Sequence, residues 1–341
     1  MQNIKDLTLT DIEKRFASLG EKPYKALQVF VWVFNRGAVS FDDMTDLSKE
    51  LRERLKENFY ISRPKILAKE ESRDGTKKLL LELEDKSCIE SVLIPEEKRL
   101  TLCVSSQVGC PLDCGFCMTG RGGFIRNLRA SEMIDQVFAA QSLLADKQKI
   151  TNIVLMGMGE PLLNYDEVVK FLYIAVHQKG FVFAPRRVTV STSGIAPMIE
   201  RLGKETKVNL SVSLNATTDA VRNRLMPINK KYPLKVLLDA CRKYPAARNR
   251  HITFEYILIN NINDSIDDAK RLAALLKDIE CKINLIPFNP FPGSEFKRPP
   301  EKTILGFHKF LLDNKYVAII RTSKGQDISA ACGQLRGKLQ I

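Results

Sequence analysis

The sequence predicts an α/β protein, an open and partial (βα)6 barrel preceded by a small helical unit and a β-hairpin extension. Three observations carry that expectation. From residue 100 onward, short apolar runs alternate with helical patterns, which implies parallel strands joined by right-handed crossovers. Six such units fall short of the eight that close a full barrel. Ahead of them, residues 1–62 follow a helical period and residues 63–95 a period of two, so the expected divisions are 1–62, 63–98 and 99–341.

In the first unit, Thr10-Asp11 is expected to cap a helix that runs to about Leu19 and stops at Gly20. After Pro23, the spacing of Tyr24, Leu27, Val31 and Phe34 predicts a second helix, with Phe30 and Trp32 thickening its apolar side. Ser40 to Met44 reads as a cap and turn, and a third helix runs through Leu47, Leu51 and Leu55 to about Asn58. Lys22, Lys25, Arg36, Lys49, Arg52, Arg54 and Lys56 decorate this unit, which is either a packing module or an RNA-docking appendage. Next, Asp74-Gly75 is a hairpin turn signal between strands Ile66–Glu71 and Lys77–Glu84, and Cys88–Ile94 follows as a further strand. These strands are expected to bridge the helical unit to the main domain.

In the barrel, strands are expected at Leu100–Ser105, Asn152–Met158, Arg187–Ser191, Val208–Leu214, His251–Ile257 and Cys281–Ile286. Helices are expected near 130–145, 165–179, 195–202, 234–243 and 265–278. Functional residues belong at the carboxyl ends of such strands. The tail from Gly325 to Gly337 is punctuated by glycine and reads as flexible.

At 341 residues, 44% hydrophobic and 27% charged, the chain has the composition of a soluble globular protein. No apolar run approaches the ~18 residues needed to cross a bilayer, and the N-terminus lacks an apolar signal core, which points to the cytoplasm and away from a membrane. The excess of 53 Lys+Arg over 40 Asp+Glu suits a polyanion such as nucleic acid, or is simply a solvated basic surface. His177, His251 and His308 are scattered and form no ligand cluster, while Cys88, Cys241 and Cys281 read as packing residues.

The chemistry centres on the loop after the first barrel strand, where Cys110, Cys114 and Cys117 form a C-x3-C-x2-C run. Thiolates favour zinc or an iron–sulfur centre over a hard cation. A structural zinc site takes four ligands and an electron-transfer [4Fe–4S] cluster takes four cysteines. Three cysteines leave one iron of a cluster open; a zinc knuckle completed by a distant Cys or His is the alternative. The run resembles the signature of the radical S-adenosylmethionine (SAM) enzymes. That resemblance implies that SAM chelates the open iron and is split to a 5′-deoxyadenosyl radical.

The second barrel strand leads into Gly157-Met158-Gly159-Glu160-Pro161, where glycines admit a close ligand and Glu160 offers an acceptor for an ammonium. Leu163 stands where a dinucleotide fingerprint needs its third glycine. Later strand ends carry Ser191, then Ser213, Leu214 and Asn215, then Asn289, whose polar groups suit a ribose, carboxylate or adenine edge or serve as helix caps. The resemblance implies that the Gly159-Glu160 segment binds the amino group of SAM, and their shared placement at strand carboxyl ends makes Ser191, Ser213, Leu214, Asn215 and Asn289 the further expected SAM contacts.

Cys103 to Cys110, the Met156–Leu162 block and Ala330-Ala331-Cys332-Gly333-Gln334-Leu335 together resemble the RlmN/Cfr family of radical SAM RNA methyltransferases over essentially the whole chain. The C2-specific branch of that family acts on an adenosine in the peptidyl-transferase region of 23S rRNA and on the adenosine beside the anticodon of some tRNAs. The resemblance implies a [4Fe–4S] cluster on Cys110, Cys114 and Cys117 and two SAM molecules per turnover. It further implies that Cys332 is methylated, that its S-methyl carbon adds to adenine C2, and that Cys103 closes a disulfide releasing the base. Glu90 sits where relatives carry a proton acceptor, while Asn215 departs from the His common at its position. A flavodoxin or ferredoxin is the implied electron donor, and a monomer the expected state. Arg121, Arg126 and Arg129, and a second group of Arg242, Lys243, Arg248 and Arg250, are candidates to grip RNA phosphates. Two rivals remain: an adenosine-C8 methyltransferase of the Cfr kind, and an RNA-binding iron–sulfur regulator without methyl chemistry.

Overall fold

A computed structural model describes residues 1–245 and 251–336. The helical unit holds α1 (Leu9–Ser18), α2 (Pro23–Phe30) and α3 (Lys49–Asn58). Thr8, two residues ahead of the expected cap, starts α1 in a reciprocal capping box with Asp11. The buried stripe of α2 and the π-turn after it is Ala26, Val29, Phe30, Val33 and Phe34; of the expected set Phe30 and Phe34 belong to it, Leu27, Val31 and Trp32 are half-buried, and Tyr24 is 57% exposed. Seven apolar residues in Leu27–Phe34 make several stripes plausible, and packing against the barrel selects one. A buried ion pair locks the unit to the barrel: Lys5 Nζ lies 2.6 Å from Asp135, which also accepts from Ser62 Oγ at 2.6 Å.

One ten-stranded sheet runs through the molecule in chain order. Its strands are β1 (Lys65–Glu71), β2 (Lys77–Glu82), β3 (Cys88–Glu96), β4 (Arg99–Cys103) and β5 (Asn152–Leu155). They continue as β6 (Val188–Thr192), β7 (Asn209–Ser213), β8 (Ile252–Leu258), β9 (Cys281–Pro287) and β10 (Val317–Ile320). β1 to β4 pair antiparallel; β4 to β10 pair parallel. All six expected barrel strands form, and β10 adds a seventh, preceded by the unanticipated helix Glu301–Asp313. With four residues and with Val317 and Ile319 about half exposed, β10 is a short edge strand with a weak sequence signal.

Strand β7 shows how the sequence builds a lined interior. Leu210 and Val212 are buried against the helical layer, while alternate Ser211 and Ser213 face the inside. Helices Ala130–Gln141, Tyr165–Val176, Ala196–Glu205, Leu234–Arg242 and Ile266–Leu276 cover the outer face.

The hairpin does more than bridge. It extends the barrel sheet, and its turn clasps the C-terminal segment. Asp74 accepts from Gly325 N at 3.0 Å, Asp327 accepts from Ser72 Oγ at 2.6 Å, and Lys78 Nζ donates to the Ile328 carbonyl at 2.7 Å. On the other side, Gly333 O accepts from Met118 N at 2.7 Å, and Leu335 O from Thr119 Oγ1 at 2.7 Å. The described part of the tail is therefore held on two sides, and its glycines are ordered turns: Gly325 has φ +62°, and a Cβ there would lie 2.8 Å from Ala330 Cβ.

Partial burial raises the Asp74 carboxyl, but hydrogen bonds from Thr76 and Gly325 outweigh it and hold the group at about 2. A carboxylate depressed in the fold stabilises above its ordinary value near ~3.9 and stops doing so as pH falls through its folded value. The clasp is thus complete at pH 7 and lost toward about pH 2. Asp74→Asn is expected to speed thiol labelling of Cys332 roughly 2- to 10-fold at pH 7, the weight of one charge-assisted hydrogen bond. Unchanged labelling would show that the turn does not restrain the tail.

Candidate active site and metal centre

At the carboxyl ends of the parallel strands lies a cavity of about 170 Å³. Its wall brings together Cys103, Cys110, Cys114, Cys117, Gly159, Glu160, Ser191, Ser213, Asn215 and Cys332. Leu214, Asn289 and Glu90 lie outside that wall. Leu214 is fully buried, and its carbonyl accepts from Arg222 Nε at 3.0 Å. Asn289 Oδ1 accepts from Gln326 at 3.3 Å. Glu90, buried on β3, has one oxygen 3.4 Å from Lys78 Nζ and the other accepting from Arg336 N at 2.5 Å.

Backbone geometry builds the cysteine loop. Gly109 has φ +75°, and a Cβ there would fall 1.9 Å from Gly123 O, so only glycine lets these two chain segments cross. Cys110 N then donates to that same carbonyl at 2.9 Å, and Gly115 N donates to Leu225 O at 3.1 Å. Leu112, Leu225, Met226, Phe288 and Phe296 form a separate apolar cluster around the loop. Burial pushes the thiol of Cys110 up to about 12 and that of Cys114 well above its ordinary value. These are neutral thiols until a cationic centre offsets the burial. Among the described residues, no three His, Cys, Asp or Glu groups are gathered into a metal shell. A cluster needs no single-ion shell, because each cysteine binds a different iron.

Gly157 and Gly159 bring the β5 loop against β4. A Cβ on Gly157 would lie 2.7 Å from Ser105 Oγ, and one on Gly159 (φ +102°) 2.5 Å from Gln107 Cβ. Glu160 hangs from this cradle with its amide donating to Gln107 Oε1 at 2.8 Å, while its carboxylate accepts from Ser193 N at 2.6 Å and Leu162 N at 3.0 Å. Burial raises its pKa even so. A ligand ammonium would relieve that burial cost. Asn215 adopts φ +59°, tolerable for Asn, and its side chain accepts from Ile257 N at 2.9 Å.

Cys103 ends β4, in register with Val92 and Val154. Burial, with a smaller push from the neighbouring Cys332 thiol, raises its thiol to about 12, while a backbone hydrogen bond from Met156 and the Arg321 charge oppose the rise. Arg321 and Glu255 are cavity residues that sequence reasoning missed. Glu255 Oε1 accepts from Ser211 Oγ and Asn284 Nδ2, each at 2.9 Å, and Oε2 lies 3.9 Å from Arg321. Arg321 is the sole Lys or Arg in the described cavity wall. An acidic residue at an inward position of an apolar strand was the available signal for Glu255; Arg321 follows the unanticipated β10 and gave none.

Arg126 and Arg129 are not free to grip phosphates. Arg126 pairs with Asp85 at 2.6 Å and Glu132 at 2.8 Å, and Arg129 with Glu84 at 2.5 Å. Arg121 donates to Gly293 O at 2.8 Å and stacks over Phe291, while Arg242 pairs with Asp239 at 2.8 Å. Arg248 and Arg250 lie outside the described residues.

Residues 2–61 match the ribosomal RNA large subunit methyltransferase N-terminal domain, and residues 104–273 the radical SAM superfamily. A dual-specificity RNA methyltransferase RlmN from Geobacter sulfurreducens is 53% identical over 99% of this chain and 93% of its own length. The chain belongs to the RlmN family. Another RlmN, from Syntrophus aciditrophicus, is 51% identical over 98% of this chain and 97% of its own. The crystal structure of a radical SAM methyltransferase from Sphaerobacter thermophilus is similar throughout: TM-score 0.93 and 43% identity, covering 99% of this chain and 100% of that one. Family membership implies a [4Fe–4S] cluster and SAM, and three thiols facing a glycine-walled cavity beside a buried carboxylate fit both.

Proposed function

We propose that this protein methylates C2 of an adenosine in the peptidyl-transferase region of 23S rRNA and of the adenosine beside the anticodon in tRNAs. The observation that carries the reading is that Cys103 and Cys332, 229 residues apart in the chain, line the same small cavity as the three cluster cysteines. Adenine C2 lies between two ring nitrogens and is no nucleophile, so it cannot attack a methyl sulfonium directly. When bound, the cluster and SAM supply a radical able to take hydrogen from a methyl group. The Cys332 thiolate attacks the methyl of one SAM, forming an S–C bond as the sulfonium C–S bond breaks and S-adenosylhomocysteine leaves. With one hydrogen removed, the Cys332 methyl carbon bonds to C2. Cys103 then attacks the Cys332 sulfur and breaks its bond to that carbon, so a disulfide forms as the methylated base leaves. The C2 proton passes to a nearby base, the surplus electron would return to the cluster when bound, and an external reductant such as flavodoxin, ferredoxin or a thiol resets the pair. Glu90, on the strand beside Cys103, is the candidate to take the C2 proton, with Cys103 the alternative.

In this reading Cys110, Cys114 and Cys117 hold the cluster, and Gly159, Glu160, Ser191, Ser213 and Asn215 face SAM, with Leu214 and Asn289 supporting the same strand ends. Residues 1–62 dock RNA, 63–98 brace the tail, and 99–341 carry the chemistry in a cytoplasmic monomer. Among the described residues, no helix is long and apolar enough to cross a membrane. The test is intact-mass analysis of the purified protein together with mass mapping of the product nucleoside. A single methyl on Cys332 and a C2-methyladenosine product are expected. A C8 product points to the Cfr-like alternative, and absent SAM cleavage to a regulator.

A further inference from the structure

Three cations without a carboxylate partner lie together away from the reaction cavity. A groove of about 720 Å³ runs between the helical unit and the barrel, lined by Arg36, Lys149 and Arg187 and by no Asp or Glu. All three side chains are exposed, and none makes an ion pair among the described residues. Arg126 and Arg129 are by contrast saturated with carboxylates. Lys149 just precedes β5 and Arg187 immediately precedes β6, so the groove lies at the amino ends of the strands, opposite the cavity.

Its wall is aromatic as well as basic. Phe181 and Phe183 are half-buried in it, and the Arg36 guanidinium sits 4.2 Å above the Trp32 ring. Between the two phenylalanines, Val182 takes φ +62°, a strained conformation for a β-branched residue, and holds its side chain 55% exposed. Asn35 of the helical unit ties this loop down by donating to Gly180 O at 3.0 Å.

We propose that this groove is a second RNA contact, in which Arg36, Lys149 and Arg187 hold phosphates of a substrate whose target base lies in the cavity. The proposal rests on the RNA-substrate reading above. Three unpaired cations without a competing carboxylate are an anion site, and an aromatic wall accepts bases without reading them. A parallel strand of about seven residues rises only ~23 Å, a span that an RNA arm running down the helical-unit side covers. Contacts here add affinity common to rRNA and tRNA, because phosphates position and do not specify.

The experiment measures binding of tRNA and of a 23S rRNA fragment to the holoenzyme across a salt series. The triple variant Arg36→Gln, Lys149→Gln, Arg187→Gln is compared with wild type. A control triple, Lys270→Gln, Arg298→Gln, Lys309→Gln, removes the same charge from residues already ion-paired on the surface. The groove variant is expected to bind both RNAs at least about tenfold more weakly, with a log–log salt slope about 2 to 3 units shallower. Arg36→Lys, Arg187→Lys should restore the slope, and Cys332 methylation, which needs no RNA, should be unchanged. Wild-type affinity and slope in the groove variant would overturn the proposal, as would an equal loss in the control. Unchanged RNA binding with weaker reduction by an acidic electron-transfer protein would reassign the groove to that partner. Failure of wild type to bind either RNA would instead sink the RNA reading itself.

Discussion

Cys332→Ala is expected to abolish RNA methylation, by at least about a thousandfold, while leaving iron content and SAM binding intact. Losses of that size accompany removal of an obligatory covalent nucleophile, because the groups that remain have no alternative route. Cys332 faces the cavity from a segment anchored through Gly333 O and Leu335 O to the cysteine loop, so the variant loses a thiol without losing the anchors. Cys103→Ala should behave differently. Its partner can still be methylated and joined to the base, but nothing attacks the sulfur to release it, so protein covalently bound to RNA should accumulate and be seen as a nuclease-sensitive shift on a denaturing gel. Ordinary turnover by either variant would remove the disulfide route from consideration.

What could be read from the chain and what could not divide by sequence distance. Cys110, Cys114 and Cys117, and the Gly157–Pro161 cradle, are local motifs, because neighbours within one loop remain neighbours in space. The strand pattern was legible for the same reason: alternation in Asn209–Ser213 separates a helix-packing face from a cavity face residue by residue. Asp74 and Gly325, by contrast, meet across 251 positions, and no local signal distinguishes a hairpin turn that clasps a tail from one that does not. The tail's glycines suggested mobility because composition cannot report hydrogen bonds supplied by other elements. The α2 stripe was misplaced because hydrophobicity extended around the helix, leaving its neighbours to choose the buried side.

The largest stability loss is expected at a residue that sequence reasoning passed over. Arg222 is fully buried, and its guanidinium donates to the carbonyls of Ser193 (2.7 Å), Leu214 (3.0 Å) and Ser213 (3.1 Å) and to Asn229 Oδ1 (2.9 Å). Three of these acceptors are backbone groups where β6 and β7 end at the cavity, so one side chain ties the two strand ends together. Burial pushes its pKa down to about 10, which means that burying the charge is itself unfavourable and that the hydrogen bonds are what stabilise. Arg222→Met keeps most of the volume but strands several buried acceptors, each costing about 1–3 kcal/mol. The summed loss should reach about 3–5 kcal/mol, the usual consequence of breaking a buried charged network. A domain with ~5–15 kcal/mol in hand survives that, but with a markedly lower urea midpoint. Ser193, Ser213 and Asn215 line the cavity from these same strand ends, so under the proposed function SAM affinity should fall in parallel with stability. A variant whose urea midpoint and SAM affinity both match wild type would show that the strand ends hold their positions without the guanidinium, and that the carbonyls find other donors.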